Sequence, residues 1–162
     1  EYAALRSFEA HDNHRMRGLT LAHIAWALLH AGRLDEALSR ADDAVEQLEG
    51  EVASWVIALA TRAQVHLHRG ERDTAAVDAK RAVEGLAGLD RVQEGESLIR
   101  LTWAEALAAV GDKVGARAAI SAARRSVEER AAKISEGRLR ESFWGLPEHA
   151  KIASLSRAWL GV

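Results

Sequence analysis

Three observations predict that this chain is all-α, built from repeated helix pairs. Alanine, leucine, arginine and glutamate dominate, Val, Ile and Thr are sparse, and no alternating stretch is long enough for a half-buried strand. A single proline, Pro147, stands in 162 residues, against a usual share of about 5%. Most tellingly, one series of small residues occurs three times: Ala25, Gly32, Ala37, Ala41, Ala44; then Ala63, Gly70, Ala75, Ala79, Ala82; then Ala104, Gly111, Ala116, Ile120, Ala123. Self-similarity at a period of tens of residues marks a stacked array of short structural units.

The elements can be taken in chain order. Glu1 to Ala10, with Tyr2, Leu5 and Phe8 three apart, reads as the end of a preceding helix. His11-Asp12-Asn13-His14 is a polar break in which Asp12 or Asn13 can cap the next helix. From Met16 to Ala31 apolar residues recur at spacings of three, four and seven, and Gly32 ends that helix. Leu34 to Leu48 is the return helix, with Asp35 and Glu36 in the first turn, where acidic groups suit the helix dipole. The second pair spans Val52 to Arg69 and Asp73 to Leu86, turning at Gly70, with Gly85 and Gly88 loosening its end. Asp90 and Gln93 have the spacing of a capping box and open the third pair, Val92 to Val110 and Lys113 to Ile134, turning at Gly111. A short helix covers Arg138 to Trp144, and Pro147 starts a last helix to Leu160. The organisation expected is therefore residues 1–10 as an incoming helix, 14–134 as three pairs (14–49, 51–88 and 90–134), and 135–162 as a C-terminal segment whose last helix covers 147–160.

Composition excludes several function classes. With 22 basic and 24 acidic residues the chain has no charge excess to draw it to nucleic acid or to a membrane surface. No apolar run reaches the roughly 18 residues that span a bilayer, and nothing resembles a signal peptide. Without cysteine, no disulfide, thiolate nucleophile or thiolate metal site can form; a reducing, cytoplasmic setting is the expectation. Residue 1 is Glu, inside what reads as a helix, so the chain is expected to be a piece of something longer.

These positions resemble the tetratricopeptide repeat, a helix-turn-helix unit of about 34 residues. Its first helix wants a large, a small and a large residue, as in Leu21, Ala25 and Leu28; Leu59 and Ala63 match in the second copy, and Ala104 and Leu107 in the third. Its second helix wants two small residues, supplied by Ala37 and Ala44, Ala75 and Ala82, and Ala116 and Ala123. Small side chains at those points let neighbouring backbones approach. The copies also depart from the family. Arg62 and His66 stand where large apolar residues are usual, the closing proline is missing, and the turn glycines are 38 and 41 residues apart. The resemblance implies a right-handed α-α superhelix of three pairs with flanking helices. Repeats of long period with a tail such as Leu146-Pro147-Glu148-His149 also look like the C-terminal regions of large bacterial signalling proteins, behind a kinase or a signalling ATPase domain.

In that family the first helix of each pair lines a concave groove. The residues placed there are Leu19, Trp26, Leu29 and His30 in the first repeat, Ile57, Gln64, Leu67 and His68 in the second, and Leu98, Leu101 and Glu105 in the third. An apolar strip with Trp26, Gln64 and Glu105 in equivalent places suits an amphipathic or extended apolar segment. The basic and amide residues with which better-known members grip C-terminal carboxylates are absent: His23, Thr61 and Thr102 stand at one such position. The expected function is a protein-protein interaction scaffold that binds a protein or peptide segment in the groove. Two alternatives stay open, an intramolecular regulatory domain of a larger signalling enzyme and a self-association module, and a terminal helix could itself cover the strip. His30 and His68 occupy equivalent positions, but no third ligand falls in register, so no metal and no cofactor is expected. Trp55 and Trp103 fit packing; Phe143, Trp144 and Trp159, beside the Ile152, Leu155, Trp159 stripe, suit an end cap. Arg124 to Arg140 carries both signs and reads as a solvated face. No glycine-rich phosphate loop, nucleophile elbow or carboxylate pair is present, and the chain reads as non-enzymatic.

Overall fold

The computed structural model describes residues 14–89 and 95–161. Among these it contains eight helices and no strand: α1 His14–His30, α2 Leu34–Gln47, α3 Val52–Arg69, α4 Arg72–Ala87, α5 Glu96–Ala109, α6 Lys113–Ala132, α7 Gly137–Trp144 and α8 Pro147–Leu160. The incoming helix over residues 1–10, the cap at Asp12 or Asn13 and the capping box at Asp90 and Gln93 lie outside the described residues.

The three glycine turns are copies of one another. Gly32, Gly70 and Gly111 all have positive φ, 73°, 79° and 90°. The next residue's N–H reaches back across each turn, Arg33 to the Leu28 carbonyl, Glu71 to His66 and Asp112 to Leu107, at 3.0, 2.9 and 2.9 Å. That reach-back bond, with glycine in the left-handed region, satisfies carbonyls that the helix end leaves open. It returns α2 on α1, α4 on α3 and α6 on α5. Only Asp112 adds a side-chain cap, accepting from the Gly115 N–H at 2.8 Å.

Within this frame the small-residue series marks where helices cross. Ala25, Ala37, Ala41, Ala44, Ala63, Ala75, Ala79, Ala82, Ala104, Ile120 and Ala123 are fully buried, and Ala116 is 2% exposed. Consecutive helices touch from α1 to α6, and the first helices of successive pairs touch too, α1 with α3 and α3 with α5. Gly85, expected to loosen the end of α4, is instead a contact point inside that helix: a Cβ there would stand 2.6 Å from Val56 Cγ1.

The tail packs on the third pair. Helix α8 lies against α6 and also against α5. Its Ile152 is fully buried with Leu101, Ala104, Ile120, Ala123 and Val127, and Phe143, Trp144, Leu155 and Trp159 half-cover the same cluster. Trp55 packs beside Val56 and Leu59, under the Arg81 guanidinium at 4.8 Å, and Trp103 packs on Ala63, Ala79 and Ala106. Among the described residues no helix is long and apolar enough to cross a membrane.

The two departures at Arg62 and His66 have a structural answer. Arg62 faces Asp78 of α4 with a two-pronged bond, Nε to Oδ2 at 2.6 Å and Nη2 to Oδ1 at 2.8 Å, and reaches Asp42 of α2 with Nη1 at 3.1 Å. Asp78 is only 3% exposed. His66 Nδ1 lies 2.5 Å from Glu71, which also accepts from Arg69 at 2.8 Å, and Arg69 pairs with Asp35. An ion network thus replaces apolar packing where α2, α3 and α4 meet. The Asp78 hydrogen bond holds the Arg62 pKa above its already high ordinary value, outweighing burial, with Asp42 adding to it.

Candidate functional site: an inner face closed by the last helix

Helices α1, α3 and α5 turn one face each toward a shared space, and the start of α8 forms its far wall. Two cavities occupy that space. The larger, about 330 Å³, lies between Leu19, Ala22 and Trp26 of α1, Ile57 and Thr61 of α3, Ser97 and Leu98 of α5, Arg130 of α6, and Leu146, Glu148 and His149 of the tail. The smaller, about 210 Å³, lies between Trp26, Leu29 and His30, Gln64 and His68, Leu101 and Glu105, and Pro147, Glu148 and Lys151. Trp26 and Glu148 border both.

The residues expected in the groove therefore come together, with one exception. Leu19, Trp26, Ile57 and Leu98 line the larger cavity; Leu29, His30, Gln64, His68, Leu101 and Glu105 line the smaller. Leu67 borders neither. It packs with Trp103 and Ala76 on Ala63, Ala79 and Ala106, on the flank of α3 that meets α4 and α5. The strip also differs in exposure from the expectation. Leu29 and Leu101 are 5% exposed and Ala22 2%, so these side chains are cavity walls, while Leu19, Trp26, Ile57 and Leu98 stay half-buried. Among the described residues, the exposed large apolar side chains, such as Val77, Val110 and Val114, lie elsewhere, with Leu146 at the larger cavity the one exception.

Polar groups cross the smaller cavity in a row. Gln64 Nε2 donates to Thr102 Oγ1 at 3.0 Å and to Glu105 Oε2 at 2.7 Å, and Lys151 Nζ stands 3.7 Å from Glu105 Oε1. Equivalent positions of α3 and α5 are thereby bonded to each other and onward to α8. His30 and His68 behave alike: each ring Nδ1 lies 2.8 or 2.9 Å from the carbonyl four residues back, Trp26 and Gln64. A carbonyl only accepts, so Nδ1 carries a proton in both, and in the neutral ring Nε2 has the lone pair. The His30 ring also stands 4.5 Å from the Trp26 ring. Among the described residues no group of three or more His, Asp or Glu side chains could hold a metal ion.

The floor of the larger cavity is polar, and the sequence carried no motif for it. Ser97, Arg130 and His149 come from three helices and meet there: Ser97 Oγ lies 2.9 Å from His149 Nε2 and 3.0 Å from Arg130 Nη1. Next to them Glu96 accepts from Arg100 at 2.7 Å and from Ser126 at 2.8 Å. Burial works to raise the Glu96 pKa, but those two bonds and the charges of Arg100 and Arg130 more than offset it, so it falls below the ordinary value. Gly95, at φ 78°, makes the turn into α5, and a Cβ there would meet Ile57 Cγ1 at 2.7 Å. Pro147 signals the start of α8 in the sequence; nothing local signals that this start closes a cavity formed by α1, α3 and α5.

No protein-family model, no curated protein and no solved structure matches this chain.

Proposed function

We propose that this chain is a tetratricopeptide-like, right-handed helical array that works as an interaction scaffold, taking a segment of another protein, or of another domain of its own parent chain, against the inner face. One observation carries the reading: equivalent positions of three successive first helices, Trp26, Gln64 and Glu105 among them, border two cavities that share Trp26 and Glu148. A surface that repeats its register while changing its side chains suits an extended or helical segment, each residue of which meets a different pocket. The Trp26 ring, half-buried and common to both cavities, is the natural anchor, since such aromatic side chains dominate binding energies.

The test begins with peptides selected from a display library against the folded chain. Trp26→Ala should weaken the selected peptide at least roughly tenfold, with far-UV circular dichroism unchanged. Val114→Ala, at an exposed site away from both cavities, should leave the affinity as it was. Affinity that survives Trp26→Ala and a paired Leu98→Ala would place binding on another surface.

A further inference from the structure

The cluster on the floor of the larger cavity has the parts of a covalent catalytic site, and the scaffold reading does not use them. His149 Nδ1 lies 2.6 Å from the Phe143 carbonyl oxygen. That oxygen can only accept, so Nδ1 carries a proton, and in the neutral ring Nε2 presents its lone pair. Opposite Nε2, at 2.9 Å, is Ser97 Oγ, which therefore donates its hydroxyl hydrogen to the histidine. A nucleophile bonded to a base, with the base held in one tautomer by a third group, is the arrangement that activates serine for attack. The Phe143 carbonyl takes the orienting place.

The surroundings suit the charge that such an attack creates. Arg130 Nη1 stands 3.0 Å from Ser97 Oγ, and its guanidinium is held over the Phe143 ring at 5.4 Å. Ser97 is the second residue of α5, in the first turn, where amide hydrogens have no carbonyl partner within the helix and the N-cap, Gly95, has no side chain to accept from them. Ser97 is 8% and His149 2% exposed, yet both border the cavity, so the pair is shielded from bulk water while open to a small ligand. Leu19, Trp26 and Leu98 give that space apolar walls, beside the polar Thr61 and Glu148.

We propose that Ser97 and His149 form an acyl-transfer site for esters of small carboxylic acids, with the acyl group against Leu19 and Trp26. Ser97 Oγ bonds to the ester carbonyl carbon as its proton passes to His149 Nε2, and Arg130 with the first amides of α5 faces the oxyanion. Collapse breaks the bond to the alcohol oxygen, which leaves with the proton from His149. Water then adds to acyl-Ser97, giving its proton to Nε2, and the second collapse returns that proton to Ser97 and releases the acid. The sum is ester plus water to acid plus alcohol, with no other reactant.

A hydrogen bond that merely pins α8 to α5 would predict none of this chemistry, which makes covalent labelling the deciding experiment. The whole chain is incubated with an alkyl fluorophosphonate, and the modified residue is located by peptide mass mapping. Labelling is expected at Ser97 in the folded chain, absent after heat unfolding and absent in Ser97→Ala. His149→Asn, whose amide can still donate to the Phe143 carbonyl, should label about a hundredfold more slowly. Hydrolysis of p-nitrophenyl butyrate should exceed that of Ser97→Ala. An unlabelled Ser97 in the folded wild type, equal labelling when unfolded, a wild-type rate in His149→Asn, or labelling without turnover would each overturn the proposal.

Discussion

Removing the Asp78 carboxylate tests whether the ion network between α2, α3 and α4 holds those helices together. In the native state Asp78 accepts two bonds from Arg62, and the two side chains are 4% and 18% exposed. In Asp78→Ala the guanidinium keeps only Asp42, 54% exposed at 3.1 Å, and otherwise stays out of water. Breaking one side of a buried pair costs about 3–5 kcal/mol because the remaining charge is uncompensated. The partial exposure of Arg62 and its surviving bond to Asp42 put this case at the low end, about 3 kcal/mol. For a chain of this size each kcal/mol moves the midpoint by roughly 2–4 °C, so a drop of about 6–12 °C is expected. The loss cannot be relieved by deprotonation, because a guanidinium keeps its proton in proteins even without a carboxylate partner. Urea unfolding followed by circular dichroism gives the free energy, with the slope checked against wild type. The companion variant carries Arg62→Met and Asp78→Leu together. It removes both charges and leaves apolar volume, so it should return to within about 1 kcal/mol of wild type. An Asp78→Ala loss below about 0.5 kcal/mol, or a double variant no better than the single, would refute the reasoning.

Two further outcomes rest on the same geometry. Gly85→Ala should destabilise by about 1–3 kcal/mol through overpacking, against the usual gain of up to ~1 kcal/mol for alanine in a helix, because its Cβ would stand 2.6 Å from Val56 Cγ1. Gly137→Ala, with nothing within 4 Å of the new Cβ, should instead be neutral or slightly stabilising; urea midpoints of the two variants check the sign of each. Acid should loosen the junction of α5 and α6. The Glu96 pKa is lowered in the folded chain, burial being outweighed by Arg100, Ser126 and Arg130. Its contribution is therefore complete above the unfolded value of about 4.3 and is lost as pH falls through the folded one. Glu71, lowered by Arg69 first and His66 second, loses its own contribution in the same direction of pH at the turn between α3 and α4. The stability gap between wild type and Glu96→Gln, measured in urea from pH 6 to pH 3, should shrink on acidification; a constant gap would contradict it.

The small-residue series was legible because helical periodicity alone decides which positions meet a neighbouring backbone, and those alanines are buried to the last one. The same periodicity carried the cavity-lining positions: Ile57, Thr61, Gln64 and His68 succeed one another at four, three and four residues along one face of α3. Leu67 failed by its place on the edge of that face. Three positions beyond Gln64 the helix has turned about 300°, enough to carry the side chain onto the Ala63, Ala79 and Ala106 contact. Arg62 and His66 were visible as departures, but the partners of Arg62 come from α2 and α4, at Asp42 and Asp78, and no local spacing joins them; only Glu71, in the turn before α4, is near His66 in sequence. Ser97 and His149 stand 52 residues apart with no motif around either.

The last helix shows why a cap and a site are hard to tell apart in sequence. Its apolar stripe reads as a seal for the third pair, and Ile152 does that in the core. Its own start carries Glu148, His149 and Lys151, which border the cavities across from α1. One helix therefore joins two free energies: burying Ile152 and positioning the cavity wall are a single docking event. Whatever binds between Trp26 and Glu148 favours the docked helix by its differential affinity, so occupancy of the cavities and closure of the array stabilise each other.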